Sequence, residues 1–354
     1  MLADAPPART DAPIVERLRE AGAVIVGKTN MSEFAFTGVG ANPHYGTPGN
    51  PADRARVPGG SSSGAAVSVG DELCEISIGT DTGGSTRIPA ALCGLVGYKP
   101  TKIRIPTEGA FPLSPTFDSI GPIARSVADC AKADAILAGE EPRFVEPVAL
   151  SGLRLGIPQG MPLEELDATV ATQFEFAVAR LSEAGARVSN AQFQIFDDMA
   201  RVNSVATIPT AEAYRIHRER MAARGAEYDP FIRSRIEMGS AISDQEYAKM
   251  LGERNALVSA MDSRLREFDA LVLPTTPIVA PTMSEVSPHD AFKRANRLLL
   301  RNTAIANFFD LCAISIPIPG GALPVGLMLF ARSGLDRRLF EISASVEQML
   351  QRCA

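Results

Sequence analysis

The sequence predicts an α/β protein with a mixed, largely covered sheet. Short apolar, β-branched runs alternate along the whole chain with longer segments of helical periodicity. The strand-like runs read as buried, and buried strands need helices on both faces of their sheet.

The elements follow in order. Residues 11–22, DAPIVERLREAG, predict a helix with Asp11 as N-cap, Gly22 as stop, and Ile14, Leu18 and Ala21 on one face. AVIVGK (23–28) reads as a short buried strand and NMSEFAF (30–36) as another short helix. Residues 37–64 are punctuated by Gly, Pro and Asn and read as loop. A loop of that length in a compact domain is more often functional than filler. SGAAVSVG then starts a helix of very small residues. ELCEISIG (72–79) alternates like a strand and feeds directly into TDTGGS. CGLVGYKPT (93–101) is a strand stopped by Pro100, and 126–139 is a helix between Ser126 as N-cap and Gly139 as stop.

The second half repeats the alternation. LRLGIP (153–158) and RVSNAQF (187–193) read as strands on either side of an amphipathic helix over 167–186. Ser243 and Glu246 form an S-x-x-E capping box that opens a long helix to about Phe268. ALVLPT (270–275), CAISIP (312–317) and PVGLMLFA (324–331) are short apolar strands, and 335–350 is a closing helix. There is no internal repeat and no low-complexity linker. Residues 1–354 are expected to form a single domain, with the helix-rich stretch 195–268 as the part able to form a lobe of its own.

Composition narrows the function. Hydrophobic residues make up 45% of 354 and charged residues 21%, which suits a large core. Without Trp, small and branched aliphatics must fill it. The net charge is −6 and no Lys/Arg block occurs, which argues against direct nucleic-acid binding by a basic face. The five cysteines are widely spaced and form no CxxC. They read as reduced thiols in a cytoplasm rather than as a disulfide frame or zinc site, and neither metal nor cofactor is expected. No stretch of 18 apolar residues occurs, so no membrane span is expected. MLADAPPART lacks the pattern of a signal peptide.

Two Gly/Ser-rich turns flank one predicted strand: VPGGSSSGAAV (57–67) and GTDTGGSTRIP (79–89). Each runs into a helix of small residues. Glycines there let the backbone turn sharply and let a substrate approach main-chain N–H groups. A helix start adds free donors, and the combination suits a developing oxyanion. Either turn alone is a common loop; the pair joined by a strand is not. Ser85 is thus a candidate nucleophile. The chain has three histidines, His44, His217 and His289, none near Ser85 in sequence, so a base other than histidine is worth considering. Three look-alikes fail. Asp81-Thr82-Gly83 has no second copy to share a proton with. GGSSSG lacks the Lys-Ser/Thr ending of a phosphate loop. No S-x-x-K begins at Ser61, Ser62, Ser63 or Ser85.

GKTNMSEF (27–34), PGGSSSGAAV (58–67), GTDTGGSTRIPAALCGLVGYKPT (79–101), PTFDSIGPIARSVAD (115–129), LPTTP (273–277) and LPVGLMLFAR (323–332) together resemble the amidase signature family. The likeness is dense over 27–129 and thins over 140–268. It implies an α/β/α arrangement around a mixed sheet. It also implies amide hydrolysis by a Ser–cis-Ser–Lys triad through an acyl-enzyme, with release of ammonia or an amine. Carried over, Ser85 is the nucleophile and Ser61 the bridging serine, with a cis peptide at Gly60–Ser61. The N–H groups of Thr82, Gly83, Gly84 and Ser85 line the oxyanion hole. Asp81 and Arg87 are read as supports of the turn.

One departure matters. The family's catalytic lysine falls before residue 1 by the register of the other motifs, so the triad lysine is expected to be absent from this chain. Lys28 of GKTN and Lys99 of YKPT match motif lysines with structural roles. The chain is accordingly read as N-terminally truncated relative to the family, which puts its activity in question. The leading function is hydrolysis of a small linear amide. One alternative is a GatA-like component of a glutamine-dependent tRNA amidotransferase, which needs a partner to hold the tRNA. Another is a non-catalytic amidase-like protein. The family often forms homodimers. FAFTGVG (34–40) and the helix over 291–310 are expected to line a pocket. Arg297, Arg301 and Asn302 are candidates to meet a carboxylate or ureide, against the plainer reading of an ordinary solvated helix face.

Overall fold

A computed structural model of the chain describes residues 5–352. Its strands are β1 (Ile76–Thr80), β2 (Val96–Lys99), β3 (Ile120–Ala124), β4 (Arg154–Pro158), β5 (Arg187–Ala191), β6 (Ala270–Pro274), β7 (Cys312–Ile318) and β8 (Val325–Ala331). They form one sheet in the order β1-β3-β2-β7-β8-β6-β4-β5. β4 runs parallel to β5 and to β6, and the remaining pairs are antiparallel, so the sheet is mixed as predicted. The helices are α1 (Pro13–Glu20), α2 (Ser63–Gly70), α3 (Arg87–Cys93), α4 (Val127–Ala138), α5 (Ala168–Glu183), α6 (Ile195–Val202), α7 (Ile208–Arg224), α8 (Pro230–Glu237), α9 (Asp244–Arg264), α10 (His289–Phe308) and α11 (Asp336–Gln351).

The period-2 geometry of the strands divides the core. Ile314, Ile316, Leu327 and Leu329 point to one face, where α4, α5 and α11 cover them with Val127, Phe174, Leu181, Leu339 and Val346. Ala313, Met328 and Phe330 point the other way and meet Phe196 and Met199 of α6, Ile208 of α7, Met261 of α9 and Ile305 of α10. The stretch 195–268 therefore shares its apolar packing with the sheet.

Local signals account for several boundaries. Ser126 accepts a hydrogen bond from the Asp129 N–H at the start of α4, and Gly139 ends that helix in the left-handed region at φ 78°. The Ser243–Glu246 box is reciprocal, opening α9. Three expectations fail. AVIVGK is not a strand: residues 23–28 have no ladder partner, and Val24 and Val26 are 85% and 73% exposed. A β-branched run becomes a strand only where a neighbour takes its backbone hydrogen bonds, and no described strand lies against it. Asp11 does not cap α1; Ala12 holds that position while Asp11 pairs with Arg19 at 2.8 Å. NMSEFAF yields only a single 3-10 turn, Glu33–Ala35, because Phe34 and Ala35 adopt positive φ.

Candidate functional site

β1 ends at Thr80, and the chain turns through residues 81–86 before α3 begins. Asp81 holds this turn from inside. Its carboxylate is fully buried and accepts six hydrogen bonds. Oδ1 accepts from the Gly84 N–H (2.8 Å), Arg87 Nη2 (3.0 Å) and Asn307 Nδ2 (2.8 Å). Oδ2 accepts from the Thr86 N–H (3.2 Å), Thr86 Oγ1 (2.9 Å) and Arg87 Nε (3.1 Å). Burial pushes this carboxyl up, but the Arg87 charge and hydrogen bonds and the Asn307 amide outweigh it. The net effect is downward, to about 2. Asp81 and Arg87 thus sit together as the sequence reading had them, under the turn.

Gly84 is required by that packing. Its φ is 134°, and a Cβ there would lie 2.1 Å from Thr303 Oγ1. Thr303 in turn donates to the Gly83 carbonyl at 2.6 Å, so α10 clamps the turn from the side opposite Asp81. Thr82 Oγ1 donates to Asp118 Oδ1 at 2.5 Å, and the Asp81 backbone exchanges hydrogen bonds with Ser119. Burial raises the Asp118 carboxyl above its ordinary range despite the donors it accepts from.

The second turn approaches from residues 58–63. The Gly60–Ser61 peptide is cis. Gly60 leaves no room for a side chain, since a Cβ would lie 2.7 Å from the Gly40 backbone. The Ser62 N–H donates to the Ser85 carbonyl at 3.3 Å, which ties the two turns together. Ser61 is fully buried, and its Oγ has no hydrogen-bond partner among the described residues. A buried hydroxyl is rarely left so. The Gly84 N–H is committed to Asp81, which removes it from the expected set of oxyanion donors. The N–H groups of Thr82, Gly83 and Ser85 have no acceptor among the described residues.

Ser85 opens onto a cavity of about 170 Å³. Ala35, Phe36 and Thr37 form one wall, as expected for FAFTGVG; Leu113 and Phe117 form another. Met199, Asn203, Thr207 and Pro209 come from α6, α7 and the link between them, and Arg235 from α8. From α10 the lining stripe is Leu300, Ala304, Asn307 and Phe308. The three α10 candidates for ligand contact are elsewhere. Asn302 donates to the carbonyls of Pro162 and Pro274, at 3.0 and 2.8 Å. Arg301 donates to the Glu164 carbonyl at 2.5 Å, and Arg297 lies 3.7 Å from Glu165. They are one helical face away from the stripe that meets the cavity.

No lysine among the described residues hydrogen-bonds to Ser61 Oγ. Lys28 is exposed. Lys99 is buried, and its ammonium donates to the carbonyls of Pro100 and Leu311, at 2.7 and 2.8 Å. Burial lowers its pKa to about 8 against the pull of Asp81.

Asn307, Thr303, Asp118 and Arg235 were not singled out from the sequence. A signal for the first two existed. Thr303 and Asn307 are polar residues four apart on the apolar face of an amphipathic helix, where polar side chains need a partner.

Comparison with known proteins agrees with this geometry. A family model described as Amidase matches residues 1–340. A 2-amino-5-chloromuconic acid deaminase of Comamonas testosteroni is 34% identical over 344 residues, covering 96% of this chain and 74% of the relative. The amidase-like component of the glutamyl-tRNA(Gln) amidotransferase of Symbiobacterium thermophilum is 32% identical over 377 residues, covering 96% and 76%. A crystal structure of an amidase superposes with a TM-score of 0.87 at 32% identity, over 98% of this chain and 79% of that one.

Proposed function

The chain belongs to the amidase family and is an amide-hydrolysing enzyme, and we propose that Ser85 is its nucleophile and Ser61 the group that relays the nucleophile's proton. The observation that carries this reading is the pairing of the two turns. Ser85 faces a cavity beside three unsatisfied N–H groups, while the adjoining turn holds a buried serine hydroxyl with no partner.

In the proposed sequence Ser85 Oγ attacks the amide carbonyl carbon. The oxygen of the tetrahedral intermediate accepts from the N–H groups of Thr82, Gly83 and Ser85. The Ser85 proton passes to Ser61 Oγ as Ser61 gives its own to a base. The same path returns a proton to the leaving nitrogen, ammonia or an amine departs, and water releases the acid from the acyl-enzyme. Lys99 is an unsuitable base, because two carbonyls hold its ammonium and Ser61 is not among its partners. The base that completes the relay comes from outside the described residues. The apolar packing that 195–268 shares with the sheet supports reading the chain as one domain. The free thiols of Cys74, Cys93, Cys130 and Cys312 favour a reducing compartment such as the cytoplasm.

The test is ammonia release from a panel of small amides, with glutamine included, by the native polypeptide and by its Ser85→Ala variant. Turnover that Ser85→Ala reduces at least about 10³-fold, with Tm unchanged, is the expected result. Equal rates in both would remove Ser85 from the mechanism. A second reading, the amidase-like component of a tRNA amidotransferase, is favoured by the likeness to its counterpart in Symbiobacterium thermophilum. Strict preference for glutamine together with a co-purifying partner would select it.

A further inference from the structure

The cavity beside Ser85 carries a single charged side chain, Arg235, and no acid among its lining residues. Arg235 is half-buried on α8. Its Nη1 donates to the Phe36 carbonyl at 2.9 Å, and its guanidinium carbon lies 4.1 Å from the centroid of the Phe36 ring. No carboxylate pairs with it among the described residues, although its neighbour Arg233 holds Glu237 at 2.7 Å. Nearby acids are occupied: Asp118 accepts from Thr82, Leu113 and Ser114, and Glu212 accepts from Ser114, Thr116 and Tyr247. Glu33 accepts from the Asp229 N–H.

A guanidinium has five N–H donors in a planar fork, and only one is used here on protein. The wall around it is largely apolar, with Leu113, Phe117, Met199, Leu300 and Phe308. Burial pushes its pKa down to about 10. A cation in such a setting is unfavourable until an anion pairs with it. The fork matches a carboxylate in a bidentate arrangement.

We propose that Arg235 is a specificity-determining residue that binds a carboxylate of the substrate, so that the enzyme acts on short amides bearing a second, acidic group. This rests on the reading of the Ser85 cavity as the active site. The cavity volume, about 170 Å³, equals that of roughly six liquid waters and suits a small molecule.

The experiment compares monoamides of three- to six-carbon dicarboxylic acids with the corresponding neutral diamides. For each pair the ratio of kcat/KM is read in the native enzyme, R235Q and R235K, with Tm recorded for each. The expected native ratio favours the acidic amide by about 10–100-fold, the range of a hydrogen-bonded charged contact. R235Q collapses that ratio towards one. R235K keeps its sign at reduced size and serves as the variant that retains the charge if R235Q does not fold. In parallel, calorimetric titration of S85A and S85A/R235Q with the same ligands reads binding without turnover. If the acidic ligand binds S85A at least tenfold more tightly than its neutral partner, and the preference vanishes in S85A/R235Q, the anion site stands even where no amide is hydrolysed. In that case the hydrolase reading fails by itself. If native enzyme and S85A show no preference for the acid, or R235Q weakens both ligands equally, Arg235 is a strut for the Phe36 carbonyl and the proposal is overturned.

Discussion

Replacing Asp81 by asparagine tests the construction of the nucleophile turn. The substitution conserves shape but removes the charge and turns one acceptor oxygen into an NH2 donor. Six donors converge on the native carboxylate, and the Arg87 guanidinium is as fully buried as the carboxylate itself. In Asp81→Asn the NH2 faces three of those donors, and Arg87 loses its counter-charge. Breaking a buried pair from one side costs about 3–5 kcal/mol. The ionisation alone sets a lower figure. A carboxyl moved from 3.8 to about 2 in the folded state contributes on the order of 2.5 kcal/mol, at about 1.36 kcal/mol per unit. The sign follows from the folded value being depressed: the contribution is complete above about pH 4 and is lost as pH falls towards 2. Urea unfolding of native protein and variant at pH 7 should show a difference of about 3–5 kcal/mol. The gap should narrow as pH falls from about 4 to 2, because only the native protein has this carboxylate to lose. Adding Arg87→Met should make the variant no less stable, since the unpaired guanidinium is the main penalty. A loss under about 1 kcal/mol at pH 7, or a double variant whose loss is the sum of the two single losses, would refute this account of the turn.

Two further substitutions separate support from chemistry. Gly84→Ala introduces a Cβ that would lie 2.1 Å from Thr303 Oγ1 at a φ of 134°; it should cost more than about 2 kcal/mol by thermal unfolding and depress ammonia release at any substrate concentration. Asn302→Leu leaves the carbonyls of Pro162 and Pro274 without their amide donor. It should cost about 2–4 kcal/mol yet leave KM within about threefold for every amide tested, whereas a ligand-contacting Asn302 would raise KM selectively.

The chemistry-bearing turns were legible because their constraints are local. Gly84 and Gly60 each occupy a place where a Cβ would collide with backbone or side chain, and such positions exclude other residues. Ser126, Gly139 and the Ser243–Glu246 box were legible for the same reason: each cap is completed within a few residues. The failures are nonlocal. β3 was not read as a strand because IGPIA contains Pro122 and Gly121, residues that argue against a central strand. It forms because Gly121 lies against the Tyr98 carbonyl, where a Cβ would approach to 2.0 Å, and because Pro122 lies beyond the end of the β2 pairing. AVIVGK shows the reverse: high strand propensity without a partner yields no strand.

The same distinction explains why the reaction was easier to read than the substrate. The reacting end of the cavity comes from residues 58–63 and 81–87, and charged, hydrogen-bonded contacts centred on Asp81 hold it. The opposite wall is assembled from 35–37, 113–117 and helices α6 to α8. An apolar cluster holds part of that wall, with Phe36 and Leu113 packed on Ala213, Tyr228, Ile232 and Ile236. Apolar packing tolerates exchange of one aliphatic or aromatic side chain for another far better than a converging set of hydrogen bonds tolerates loss of a donor. Substitutions along α6 to α8 can therefore reshape what the cavity admits without loosening Ser85, since the two ends share few partners and their effects should add. On this view residues 195–237 form the adjustable side of the molecule. The residue there that departs from apolar packing, Arg235, is the one whose chemistry names a ligand.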